Sequence, residues 1–160
     1  MLSIALFDLD NTLLDRGDAL ARWARGFADF HGLPEESPAY LVSADEDGMT
    51  PRLELFADVR ATFGLAASMD ELVERYGYDY PAACTFPDRS RAALRRLRSV
   101  GRKVAVVTNG PRFQERKVEV TGLDDDVDVD VVAVCVSVVV GSWKPYPGIF
   151  EEVTSPRPFR

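Results

Sequence analysis

The chain has 160 residues, with 19 Lys and Arg against 26 Asp and Glu, a formal net charge of −7, and 46% hydrophobic residues. This is the length of one domain with room for a sub-domain, and it is enough chain to bury a real core. The acidic balance disfavours nucleic acid and anionic membrane surfaces as partners, since both are met by basic residues.

Leu2–Phe7 is apolar on both faces and predicts a short buried strand of the kind found inside parallel sheets. It ends in FDLDNTLLD, where Asp8, Asp10 and Asp15 fall within eight positions. From Asp18 to His31, Leu20, Trp23, Ala24, Phe27 and Phe30 recur at helical spacing, with Asp18 as the expected N-cap and Gly32 as the stop. These aromatic residues are expected to fill the core of a helical insert. Pro34 and Pro38 mark a loop. Leu53, Phe56, Val59 and Phe63 predict a second helix closed by Gly64, and Asp70–Tyr76 a third, weaker one.

PDRSRAALRRLRSVG then sets Leu94, Leu97 and Val100 on one helical face, with Arg91, Arg95, Arg96 and Arg98 expected on a solvated one. Lys103–Val107 reads as a second buried strand, Arg112–Thr121 as a helix ending at Gly122, and the Val-rich Asp130–Val140 as a third strand. The acidic run before it, DDDVDVD, is expected to be a loop and not a metal site. The order is strand, long helical insert, then helix, strand, helix, strand. That predicts an α/β fold: a parallel-sheet Rossmann-like core formed by 1–15 and 86–160, with a helical cap domain, 16–85, inserted after strand one over one end of the sheet.

Cys84 and Cys135 have no metal-site spacing and are expected to stay reduced. The first apolar run lacks the length and basic flank of a signal peptide, and no stretch is long enough to cross a bilayer, so a cytoplasmic location is expected. The single histidine, His31, argues against multi-histidine metal sites and is expected to be a helix-end residue.

Open parallel sheets bind ligands beyond the carboxyl ends of their strands. Asp8 and Asp10 follow strand one, Thr108, Asn109 and Gly110 follow strand two, and Lys144 lies a short loop after strand three. A carboxylate can attack phosphorus, and a second can protonate the leaving oxygen and then take a proton from water. A hydroxyl, backbone N–H groups and a lysine can hold the phosphoryl oxygens. Crowded acids facing a phosphate call for a hard cation, and Mg²⁺ takes oxygen ligands of this kind.

At these residues the sequence resembles the haloacid-dehalogenase-like (HAD) hydrolases. FDLDNTLLD is similar to their DxDx[TV] motif after an apolar strand, VVTNG to their second motif, and GSWKPYPGIF to their third; the likeness runs from Leu2 to about Phe150. The resemblance implies a Mg²⁺-dependent phosphatase acting on a small phosphorylated metabolite. Asp8 is then the nucleophile and a metal ligand, and Asp10 the general acid/base, offering its backbone carbonyl to the metal. Thr108, Asn109 and Lys144 are the phosphate-binding set, and Thr12 supports the loop. Dehalogenating members lack an acid at the Asp10 position.

Two departures stand out. The family's fourth motif, an acidic pair after a fourth strand, has no counterpart here, and Tyr146 stands where an acid is usual. The chain therefore reads as truncated at its C-terminus, with strand one left at a sheet edge open to self-association. A catalytically inactive fragment or interaction protein is the alternative reading. A phospho-accepting receiver domain shares the acids, hydroxyl and lysine, but the long insert between Asp10 and Thr108 argues against it.

Overall fold

The computed structural model describes residues 4–127 and 134–154. Its elements, in chain order, are β1 (Ile4–Phe7), α1 (Arg16–His31), α2 (Ser37–Ala44), α3 (Arg52–Phe63), α4 (Met69–Ala82), α5 (Asp88–Ser99), β2 (Lys103–Thr108), α6 (Phe113–Thr121), β3 (Val134–Val136), α7 (Ser137–Val140) and α8 (Pro147–Thr154). The chain divides into two compact units, the described residues of Met1–Asp15 with Cys84–Arg160, and Arg16–Ala83.

The first unit is built on a parallel sheet in the order β1-β2-β3. Ile4 pairs with Lys103 and Phe7 with Val106, while Val106 pairs with Val134 and Thr108 with Val136. This register brings the carboxyl ends of all three strands to one edge. β2 is buried along nearly its whole length because it lies between the other two strands. Along it, Ala105 and Val107 form a core with Cys135, Ile149 and Val153, joined by Ile4 and Val140. Val104 and Val106 point to the opposite face, as the two-residue period of a strand requires. Burying a side chain of this size stabilises by about 1.5–3 kcal/mol.

The second unit is all helical. Trp23 and Phe27 of α1 pack with Phe56 of α3 and Tyr76 of α4, and Tyr76 stacks on Tyr80 at 4.9 Å. Asp45, fully buried, is paired by Arg16 and Arg52, each at 2.5 Å.

Several expectations need correction. The segment around Pro38 is not a loop but α2, with the proline in the first turn, where its missing N–H costs nothing. α1 starts two residues before Asp18, which sits within its first turn instead of capping it. α4 extends well past the predicted span; it is anchored by a capping box between Ser68 and Glu71 and carries Pro81 near its end. Phe30 and Leu53, expected inside, are each 61% exposed, and Val100, just past the end of α5, is 69% exposed. Among the described residues the third strand covers Val134–Val136 and ends four residues before the predicted Val140. Ser137–Val140 turns into a helix because strand-like valines end at Gly141, which takes the left-handed conformation that closes a helical turn. Leu2, Ser3 and the 130–133 portion of the predicted strands lie outside the described residues, as does the tail beyond Thr154.

The arginine face of α5 is also not simply solvated. Arg91 and Arg95 both pair with Asp126, whose side chain is 2% exposed. Arg91 also donates to the Gly122 and Thr121 carbonyls and lies over the Phe86 ring. The acidic run is thus held at Asp126 by arginines of α5.

Candidate active site

The loop after β1 is folded tightly on itself. The Leu9 carbonyl accepts from the N–H groups of Leu13 and Leu14, each at 3.0 Å, and Asn11 N–H donates to the Leu14 carbonyl at 2.9 Å. Asn11 adopts φ of 59°, a left-handed conformation that asparagine tolerates better than most residues. Leu9, Leu13 and Leu14 are buried and anchor the loop. Asp8 and Asp10 therefore sit on a fixed backbone at the carboxyl end of the sheet.

The Asp8 carboxylate is 41% exposed and is met by the ammonium group of Lys144. Lys144 is held in turn by the loop after β2. The Asn109 Nδ2 donates to the Lys144 carbonyl at 3.1 Å, and the Lys144 N–H donates to Asn109 Oδ1 at 2.8 Å. Gly110 N–H donates to Ser137 Oγ at 3.0 Å, tying the same loop to the start of α7. Gly110 has φ of 155°, and a Cβ there would come within 2.9 Å of Gln114, so the close approach requires glycine.

Asp10 belongs to a second cluster. Both of its carboxylate oxygens accept from Lys117 Nζ, at 2.8 and 2.9 Å, and Oδ2 also accepts from Gln114 Nε2 at 2.8 Å. Gln114 Nε2 reaches Thr108 Oγ1 at 3.2 Å, so it links Asp10 to the end of β2. Thr108 is 1% exposed and its hydroxyl donates to the Asn109 carbonyl at 3.4 Å.

The predicted set is thus brought to one edge of the sheet in two linked groups: Asp8, Lys144 and Asn109, and Asp10 with Thr108. Gln114 and Lys117, which complete the second group, were not expected. Their signal in the sequence is that the helix after β2 has polar residues three apart, and so on one face, where a helix against a sheet would usually be apolar. Among the described residues no three His, Cys, Asp or Glu side chains are grouped to hold a metal ion. The Asp8 carboxylate and the Asp10 backbone carbonyl are hard oxygen donors all the same, and Mg²⁺ is commonly held by one or two carboxylates with waters and phosphate oxygens completing its shell.

A parallel α/β sheet with paired acids, a threonine and a lysine beyond its carboxyl ends is the frame of a hydrolase site built on strand-end loops. The family model of haloacid dehalogenase-like hydrolases matches residues 2–155, and the chain belongs to that family. Among solved structures, YfnB from Bacillus subtilis, described as bound to magnesium, is 22% identical. The match covers 95% of this chain and 71% of that one, with a TM-score of 0.71. A HAD phosphatase from Thermococcus onnurineus is 27% identical, over 96% of this chain and 70% of that one, with a TM-score of 0.53. The L-2-haloacid dehalogenase of Xanthobacter autotrophicus, with chloropropionic acid covalently bound, is 18% identical, over 94% and 63%, with a TM-score of 0.65. These likenesses support the α/β fold. No curated protein matches the sequence.

Proposed function

We propose that the protein is a Mg²⁺-dependent phosphomonoesterase acting on a small phosphorylated metabolite through an aspartyl-phosphate on Asp8. The observation that carries this reading is the pairing of Asp8 with Lys144, beside an Asp10 that is separately clamped. Two acids given different partners can take different roles, one as nucleophile and one as proton carrier. An Asp8 oxygen attacks phosphorus and the bond to the leaving oxygen breaks. The Asp10 carboxyl gives its proton to that oxygen. Asp10 then takes a proton from water as the water oxygen attacks the acyl phosphate, which releases inorganic phosphate and restores Asp8. The Lys144 ammonium, the Thr108 hydroxyl and the loop at Asn109 hold the phosphoryl oxygens and offset their charge. The Asp8 carboxylate and the backbone carbonyl of Asp10 would hold Mg²⁺, which supplies charge neutralisation between carboxylate and phosphate.

Asp10 supports phosphate chemistry over dehalogenation, because displacing a halide needs no proton donor at that position. The test is hydrolysis of p-nitrophenyl phosphate with and without Mg²⁺. Mg²⁺-dependent turnover abolished in Asp8→Asn supports the reading, and turnover unchanged in that variant removes it.

One observation favours a second reading, an interaction protein that self-associates. Among the described residues β1 is paired on one side only, and its Leu6 is 41% exposed. An apolar strand edge of this kind can pair with a second copy. Sedimentation of the wild type and of Leu6→Lys tests it: a dimer lost in the variant supports this reading, and a monomer in both removes it.

A further inference from the structure

We propose that the recess between the end of α1 and one face of α4 is a binding site for a small aromatic cation, a flat apolar ring that carries a protonated amine. None of its residues belongs to the set around Asp8, and the proposal does not depend on the phosphomonoesterase reading.

The recess lies wholly within the helical unit and has a volume of about 910 Å³. Sites for small organic molecules are concave, mostly apolar and roughly 300–1,000 Å³ in volume. Buried Leu72 lines it together with two large rings that stand open to water, Phe30 at the end of α1, 61% exposed, and Tyr78 of α4, 62% exposed. Single exposed apolar side chains are ordinary on a protein surface; two rings from different helices lining one concavity are not.

The charge of the recess selects the ligand. Glu71, Glu74, Arg75, Tyr78 and Asp79 recur three and four apart and so share one face of α4. Three are acids and one is a cation. The cation is already engaged: Arg75 Nε donates to Asp79 Oδ2 at 2.7 Å, and the guanidinium lies 3.4 Å from the centre of the Phe30 ring. Glu71 accepts from the uncharged N–H and hydroxyl of Ser68, which leave its negative charge in place. Glu71 and Glu74 therefore set the sign of the recess. His31, which also lines it, is held below 6.5 by burial and then by Arg75, so it adds no positive charge at neutral pH. Carboxylates beside the negative faces of aromatic rings favour an organic cation over a neutral molecule or an anion. The stacking of Arg75 on Phe30 is one instance of that attraction inside the recess itself. A solvated acidic helix face would account for Glu71 and Glu74 but not for the two open rings.

The experiment titrates the full chain calorimetrically at neutral pH with three probes of nearly one shape: 1-naphthylmethylammonium, 1-naphthalenemethanol and 1-naphthoate. The ammonium is expected to bind about tenfold more tightly than the alcohol, the naphthoate most weakly, and added salt to weaken the ammonium alone. Glu74→Gln is expected to lower the affinity for the ammonium by about threefold and to leave that for the alcohol unchanged. Tyr78→Ala is expected to weaken both by about threefold to tenfold. Both positions are exposed, so both variants keep the fold. Equal binding of the three probes, no binding of the ammonium, or binding that both variants leave intact overturns the proposal. Loss of ammonium binding in Asp8→Asn places the probe at Asp8 and overturns it as well. A dimer in sedimentation that Tyr78→Ala dissociates puts a second copy in the recess, with the same consequence.

Discussion

Asn109 and Lys144, 35 residues apart, exchange a pair of hydrogen bonds, side-chain amide to main chain in both directions. This closes the loop after α7 onto the end of β2 and leaves the Lys144 ammonium on Asp8. In the proposed reaction the lysine is useful only while that loop is fixed. Asn109→Ala is expected to lower kcat/KM on p-nitrophenyl phosphate by about tenfold, and Lys144→Ala by about 10²–10³. Steady-state kinetics of the two variants and of the double variant check this. The double variant is expected to be no worse than Lys144→Ala, because the two residues act as one unit.

The Asp126 carboxylate is the buried end of an ion-pair cluster whose arginines, Arg91 and Arg95, are partly and mostly exposed. Removing the acid leaves arginines that can rehydrate, so Asp126→Asn is expected to cost about 1–3 kcal/mol and not the full price of a stranded buried charge. Arg95→Ala, which touches Asp126 from the solvent side, is expected to cost less than about 1 kcal/mol. Urea unfolding of both variants tests the ranking. Equal effects would contradict it.

Burial, and after it the nearby Arg75 cation, pushes the His31 imidazole below its ordinary 6.5. The folded protein therefore binds a proton at His31 less readily than the unfolded chain. The stabilising contribution is complete above pH 6.5 and is lost as pH falls from there through the lowered folded value. Measured between pH 7.5 and 5, the wild type is expected to lose unfolding free energy relative to His31→Gln. A constant difference across that range would contradict the assignment.

The capping box of α4 makes a second, more acidic prediction. The Ser68 N–H and hydroxyl, in that order, hold the Glu71 carboxyl below its ordinary 4.5. Its contribution is present above pH 4.5 and is lost as pH falls through the lowered folded value. The wild type is expected to fall toward Glu71→Gln in thermal stability only below about pH 4.5. Ser68→Ala, which removes the cap itself, is expected to cost about 1 kcal/mol at neutral pH.

The strands and most helices were legible because their signals are local. The apolar run of β2, the glycines after α3 and α6, and the spacing of Trp23 and Phe27 each declare an element without reference to the rest of the chain. The acids at 8 and 10, the threonine, the asparagine and Lys144 were legible because strand ends gather such residues in parallel sheets. What escaped was decided by tertiary contact. Lys117 and Gln114 look like an ordinary polar helix until the fold brings Asp10 against them. Arg91 and Arg95 look solvated until Asp126 is buried beneath them. Phe30 has helical spacing with Phe27 yet lies outside, where the Arg75 guanidinium covers its ring at 3.4 Å. α2 escapes a local reading because Pro38 resembles a breaker, although proline is at home in a first helical turn.

The claim on which the functional account depends is a covalent phosphoryl group on Asp8. Quenching a turning-over sample with borohydride reduces an acyl phosphate to the alcohol, so mass spectrometry of the peptide spanning β1 reads the site directly. Homoserine at position 8, dependent on both Mg²⁺ and substrate and absent at position 10, is the predicted result. An unmodified Asp8 in a folded sample that is hydrolysing substrate would contradict it.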